Sequence, residues 1–347
     1  MMHRVTRLQC IAVAVAFAAA CSPEEPRLHS TGDVAQGTTY TIQWWTAEQI
    51  DHTAFVAAVR DELARLDALL SNYRDDSVIE RFNQARTLEP LQLPEELTAL
   101  LRTAAHVHRA SAGCFEPTVR PLVTLWGLDG DAPEVADPAA ITATLERIGF
   151  DKLEIRDGGE VRKTVADLEL DLASIGQGYT VARMSEIAAD FGLAHYLIEL
   201  GGEIAARGSK PNGEPWRVGV EEPRLPGDPG AGTIRRRLTL PTDRPAAVIT
   251  SGTYRHFFEA DGRLYSHIID PRTGSPVTHD LVSVTVVHQD PTLAAAWATA
   301  LLCLGPEHAR TTADSEGLAA LLFVQKGESL EERWSTALRT EWPGLFD

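Results

Sequence analysis

The chain has 347 residues, 44% hydrophobic and 23% charged, with 49 acidic against 32 basic side chains and a formal net charge of -17. A surplus of that sign argues against nucleic acid or an anionic lipid surface as a nonspecific partner. The length allows one large domain or two smaller ones, and no internal repeat or low-complexity block marks a boundary.

Residues 1–20 carry Arg4 and Arg7, then an apolar run through Phe17, then Ala18, Ala19 and Ala20. A charged start, a short apolar middle and small residues read as an export signal, and the run is too short to cross hydrocarbon. Cys21 follows directly, as in a bacterial lipoprotein box, where acylation of its thiol and new amine would anchor the chain to a membrane. Plain secretion with an ordinary Cys21 is the alternative. Residues 21–33 read as a tether and 34–347 as the folded domain. The expected location is the bacterial cell envelope, lipid-anchored on the periplasmic side.

The aromatic and β-branched run Thr38–Trp45 predicts a strand. Phe55, Val59, Leu63, Leu66 and Leu70 share one helical face over 54–70. A second helix is expected over 94–108, opened by Pro94 and followed by Gly113. Short strands are expected at 168–172, 195–200, 216–220, 234–240, 247–250, 264–269 and 282–287, with helices at 175–191 and 292–304. The late strands do not alternate strictly with helices, so the expected class is α+β, one domain with largely antiparallel sheet flanked by helices.

Several segments could carry chemistry. Asp171 to Tyr179 places an acid before a small-residue entry into a helix, whose free N–H groups and partial positive charge suit an anion. A simple cap by Asp171 explains the same pattern. Gly201-Gly202-Glu203 reads more readily as a bulge than as a site. Tyr73, just past the first helix, could stack on a planar ring or lie exposed. The run 294–301 is apolar except for Thr299 and is explained by core packing. Thr250, Ser251 and Arg255 precede Ser266-His267-Ile268-Ile269, whose histidine can take or give a proton near neutral pH. Cys114 and Cys303 are the cysteines left after Cys10 and Cys21, and nothing in their spacing requires a disulfide.

In this order these segments resemble the ApbE family, the flavin transferases that move FMN from FAD onto a threonine or serine of a target protein. The resemblance runs from Gly37 to the Thr299 helix. It implies FAD contacts at Gln36, Tyr73, Cys114, Phe115, Glu116, Asp171, Gln177 and the Ile268-Ile269 pair, with Thr250, Ser251 and Arg255 lining the pyrophosphate region. His267 falls on the histidine that assists phosphoryl transfer, and the Ser174 carbonyl and Thr299 hydroxyl fall on positions that hold Mg²⁺. The implied partner is a target protein of a membrane redox complex. Three positions depart from the pattern: Glu116 replaces an aspartate, Gln177 a lysine or glutamate, and Ala295 an aspartate metal ligand. Losing that carboxylate should weaken Mg²⁺ binding, with Asp290 a distant substitute. The alternatives are a lipoprotein that binds FAD without transferring it, and an FAD pyrophosphatase.

Overall fold

The computed structural model describes residues 26–130, 133–224, 228 and 230–346. The expected signal segment, Cys21 and the first part of the tether lie outside the described residues. Among the described residues no helix is long and apolar enough to cross a membrane.

An eight-stranded sheet organises the chain. Its strands are β1 (His29–Ala35), β2 (Thr38–Trp45), β3 (His195–Leu200), β4 (Glu203–Arg207), β5 (Ala246–Gly252), β6 (Leu281–His288), β7 (Ala319–Lys326) and β8 (Ser329–Trp334). They lie side by side in that order, and every neighbouring pair is antiparallel. The expected α+β class with largely antiparallel sheet is the architecture observed.

Three long helices lie against one face, α1 (His52–Leu70), α3 (Ala173–Asp190) and α4 (Pro291–Ser315, broken at Gly305), and α2 (Glu95–Ala110) packs on α4. The main core joins this face to the helices through residues such as Ile249, Val284, Val286, Ile175 and Leu301. A second core lies on the other face, where the hairpin of Arg217–Glu221 with Ile234–Thr239 brings Val218 and Leu238 against Val248 and Leu321.

Most expected elements appear within a residue or two of their places. Three differ. β1 begins inside the segment read as a tether, so folded structure starts by His29. It is a polar edge strand whose sequence, HSTGDVA, has no apolar alternation to announce it. Residues 168–172 form no ladder. The side chain of Asn83 instead mimics a neighbouring strand, accepting from Leu170 N at 2.7 Å and donating to Leu170 O at 3.0 Å. The strand expected over 264–269 stops at Ser266 and resumes at Ile269, which leaves His267 and Ile268 between ladders.

Lys163 is fully buried and donates to the carbonyls of Phe82 and Ala85 at 2.7 and 3.0 Å, closing the end of the helix Val78–Gln84. Burial pushes its ammonium down to about 8 from an ordinary 10.5. The folded state therefore binds fewer protons than the unfolded chain between those values, so stability should climb as pH rises from 8 to 10.5. Lys163→Met, which abandons two carbonyls, should cost about 1–3 kcal/mol at pH 7. Denaturant titrations of both proteins at pH 7, 8 and 10 check the loss and the disappearance of the climb.

Candidate active site

Helix α3 starts where the extended segment 168–172 ends. Asp171 N donates to Pro117 O at 2.7 Å, which fastens this segment to the loop after α2. Asp171 Oδ1 accepts from Ala173 N at 2.8 Å, a turn one residue ahead of the cap position, which Leu172 occupies without a side-chain cap bond. Burial pushes the Asp171 carboxyl above its ordinary range, against the pull of that bond and of Arg120. Ser174 and Gln177 stand in the first turns of the helix, partly accessible, as an anion site requires.

Helix α4 crosses α3 beside this end. A side chain on Gly178 would meet Ala295 Cβ and Pro291 O at 2.5 Å, so only glycine allows the approach. Every residue of α4 from Ala294 to Cys303 is buried except Thr299, which opens onto the groove. Thr299 Oγ1 lies 3.2 Å from Ser251 Oγ on β5. Asp290 is committed elsewhere, capping α4 through Thr292 N at 2.8 Å.

The β3–β4 turn completes the groove. Gly201 and Gly202 take φ of +60° and +98° and form a hairpin turn, the place of the expected bulge. A side chain on Gly201 would come within 3.3 Å of Gln177 Nε2, and one on Gly202 within 3.3 Å of an Arg255 guanidinium nitrogen. Glu203 follows. Its Oε2 is buried and has no hydrogen-bond partner. Burial pushes this carboxyl up to about 8, with Arg255 opposing the rise and Glu199 adding to it. An orphaned buried acceptor is costly unless something absent from the polypeptide meets it.

Gln36 sits in the β1–β2 turn at φ +51° and donates through Nε2 to Thr180 Oγ1 on α3 at 3.0 Å. Tyr73 is 84% exposed, and its neighbour Asn72 donates to Leu170 O at 3.0 Å. A bare aromatic ring therefore stands at the rim next to Asp171. His267 Nδ1 lies 2.9 Å from His256 O. A carbonyl only accepts, so Nδ1 carries the hydrogen and Nε2 keeps its lone pair. Burial holds the imidazole below its ordinary 6.5, outweighing the bond to His256.

Other expected contacts are placed differently. Thr250 points to the opposite face of the sheet from Ser251, where its hydroxyl lies 2.8 Å from that of Thr285. Glu116 is buried and turned inward, accepting from Thr118 N, Thr118 Oγ1 and Phe150 N at 2.9, 2.7 and 3.1 Å. It shapes its loop. Phe115 is buried in the main core. Ile268 and Ile269 are buried too, in separate apolar clusters. Arg255 pairs with Glu221 at 3.0 Å while covering the glycine turn.

The Cys114 and Cys303 sulfurs are bonded, their Cα atoms 5.7 Å apart and 189 residues apart in sequence. Cys303 is one helical turn beyond Thr299, so the bridge ties the 113–118 loop to the helix that bears this hydroxyl. An Asp270 carboxylate oxygen lies within 4.8 Å of both sulfurs, but it is held by Arg272 at 2.8 Å, and bonded sulfurs offer no thiolate to a metal. A separate cavity of about 600 Å³ touches Thr253, Tyr254 and Ser266 but none of Asp171, Ser174, Gln177 or Thr299.

Fold and groove together define an α+β protein with an anion-receptive helix start and a hydroxyl pair, and a segment between two ladders carries the imidazole of His267. The chain belongs to the ApbE family, whose family model matches residues 36–322. It is 33% identical to an FAD:protein FMN transferase of Klebsiella pneumoniae (strain 342), with 92% of each chain covered. It is 30% identical to one from Salmonella typhimurium, with 97% of this chain and 98% of the other covered. The flavin transferase ApbE from Vibrio cholerae superposes with a TM-score of 0.82 at 29% identity, over 90% of this chain and 99% of that one. The apo flavinyl transferase ApbE of Pseudomonas stutzeri gives 0.82 at 32% identity, over 92% and 98%.

Replacing Cys114 and Cys303 by serine, or adding reductant, should lower stability by about 2–5 kcal/mol. Thermal scans with and without reductant check this, and the double variant should show no response to reductant.

Proposed function

We propose that the chain is an FAD:protein FMN transferase, moving FMN from FAD to a threonine or serine of a target protein with release of AMP. The single observation that carries the reading is the groove shared by the α3 start, the Ser251–Thr299 hydroxyl pair and the glycine turn, in a chain matching such transferases along nearly its whole length.

In this reading the pyrophosphate lies along the start of α3, near Ser174 and Gln177, with the backbone approach left open by Gly201 and Gly202. Tyr73 offers its exposed face to a planar ring of the dinucleotide. His267, neutral and with Nε2 free, takes the proton of the target hydroxyl. The hydroxyl oxygen then forms a bond to the FMN phosphorus as the bond from that phosphorus to the AMP oxygen breaks. AMP leaves, and the product is a phosphoester of FMN on the target. Mg²⁺, held by the Ser174 carbonyl and the Thr299 hydroxyl, would neutralise charge developing on the phosphate oxygens. A sequence opening with an export signal and Cys21 supports placement in the cell envelope, lipid-anchored on the periplasmic side and facing a target protein of a membrane redox complex.

Ala295 favours a second reading, an FAD-binding lipoprotein without transfer, because it removes a carboxylate from the face of α4 that carries Thr299. Incubation with FAD, Mg²⁺ and a threonine-bearing target domain separates them. Transfer gives a fluorescent target band in a denaturing gel. AMP without labelling means hydrolysis of FAD, and bound FAD with neither means a binding protein.

His267→Ala should lower labelling by about 10²–10⁴-fold while FAD is retained. Because burial holds the imidazole below 6.5, its protonation should slow the parent protein as pH drops through the acid side of 6.5, and this acid-side fall should be absent from the residual rate of His267→Ala. A pH series of single-turnover labelling rates checks both expectations.

A further inference from the structure

We infer that Glu203 is a ligand for the divalent cation at the phosphate site, supplying the carboxylate that α4 does not; this rests on the transferase reading. The register of the sheet puts it there. Glu203 pairs with Leu200, which is buried against α3 residues Val181 and Met184, and paired residues share a face. Two residues on, Ala205 pairs with Ala247 of β5, and Ala247, Ile249 and Ser251 share that face. The ladder between β4 and β5 ends at Ile204 and Val248, and its register continued by one residue sets Glu203 opposite Ile249 with Ser251 diagonal to it, on the face that α3 and α4 cover. Such diagonal positions lie about 7–8 Å apart, within reach of a long side chain.

Three further observations point the same way. Ser251 Oγ is 3.2 Å from Thr299 Oγ1, so the neighbour of Glu203 touches the candidate metal hydroxyl. Glu203 Oε2 is buried without a hydrogen-bond partner, whereas Asp290, the other acid near the start of α4, is spent as a cap. The turn preceding Glu203 packs on Gln177, so the same strand end borders the start of α3. Magnesium is held by one or two carboxylates together with substrate phosphates, and a neutral set of a carbonyl and a hydroxyl lacks that charge. One buried glutamate completes the set.

The test uses Mn²⁺ as the probe, with binding to the FAD-loaded protein followed by electron paramagnetic resonance. Glu203→Gln, which keeps the shape of the side chain, should weaken Mn²⁺ binding by at least about tenfold. Adding A295D to the E203Q protein should recover most of that loss, because the acid returns from α4. Flavin absorbance of the desalted protein reports FAD retention separately. Retained FAD with Mn²⁺ affinity unchanged in E203Q overturns the inference and leaves the transferase reading standing. Failure of the parent protein to retain FAD removes both. Should E203Q not fold, A295D in the parent background decides: a gain in Mn²⁺ affinity below about fivefold means a carboxylate is already present and supports the inference, and any larger gain overturns it.

Discussion

The close crossing of α3 and α4 at Gly178 is the constraint on which the rest of the site depends. With only a hydrogen at position 178, the helices approach until Ala295 and Pro291 O fill the space that any other side chain would take. That approach sets the open start of α3 beside Thr299, and the sheet beneath brings Ser251 to the same point. The Cys114–Cys303 bridge then fixes the 113–118 loop to α4, and the Asp171–Pro117 hydrogen bond fixes the same loop to the start of α3. Three chain segments far apart in sequence are thereby held around one groove.

Within this frame, residues that resemblance groups together separate into different physical roles. Gln36, Asp171, Ser174, Gln177, Ser251 and Thr299 gather around the two helices and the turns at their ends. Glu116 is turned into its own loop, and Thr250 into a hydrogen bond on the far face of the sheet. Phe115 and the isoleucine pair are packing groups. Glu203 does the reverse: it sits in a segment that reads as a simple bulge, yet it carries the orphaned buried oxygen of the groove.

Strong local signals were legible in the sequence, and signals carried by distant partners were not. The strand 38–45 and the first helix were readable because their apolar spacing is their own. β1 was not, since a polar edge strand borrows its stability from β2. Residues 168–172 look like a strand because they are extended and apolar, but their partner is the side chain of Asn83, 87 residues earlier. The position of His267 between ladders follows from hydrogen bonds to His256 that no periodicity encodes. The disulfide was open for the same reason, because 189 residues of spacing say nothing about proximity.

A dinucleotide seated by its phosphates between α3 and α4 is the state in which every role assigned to the groove is exercised. A crystal structure of the protein with FAD measures this directly. It should place the pyrophosphate within hydrogen-bond reach of the Ser174 to Gln177 segment and beside Thr299, with a ring of the cofactor on Tyr73. Phosphates found instead in the cavity of Tyr254, Arg235 and His279 would contradict it.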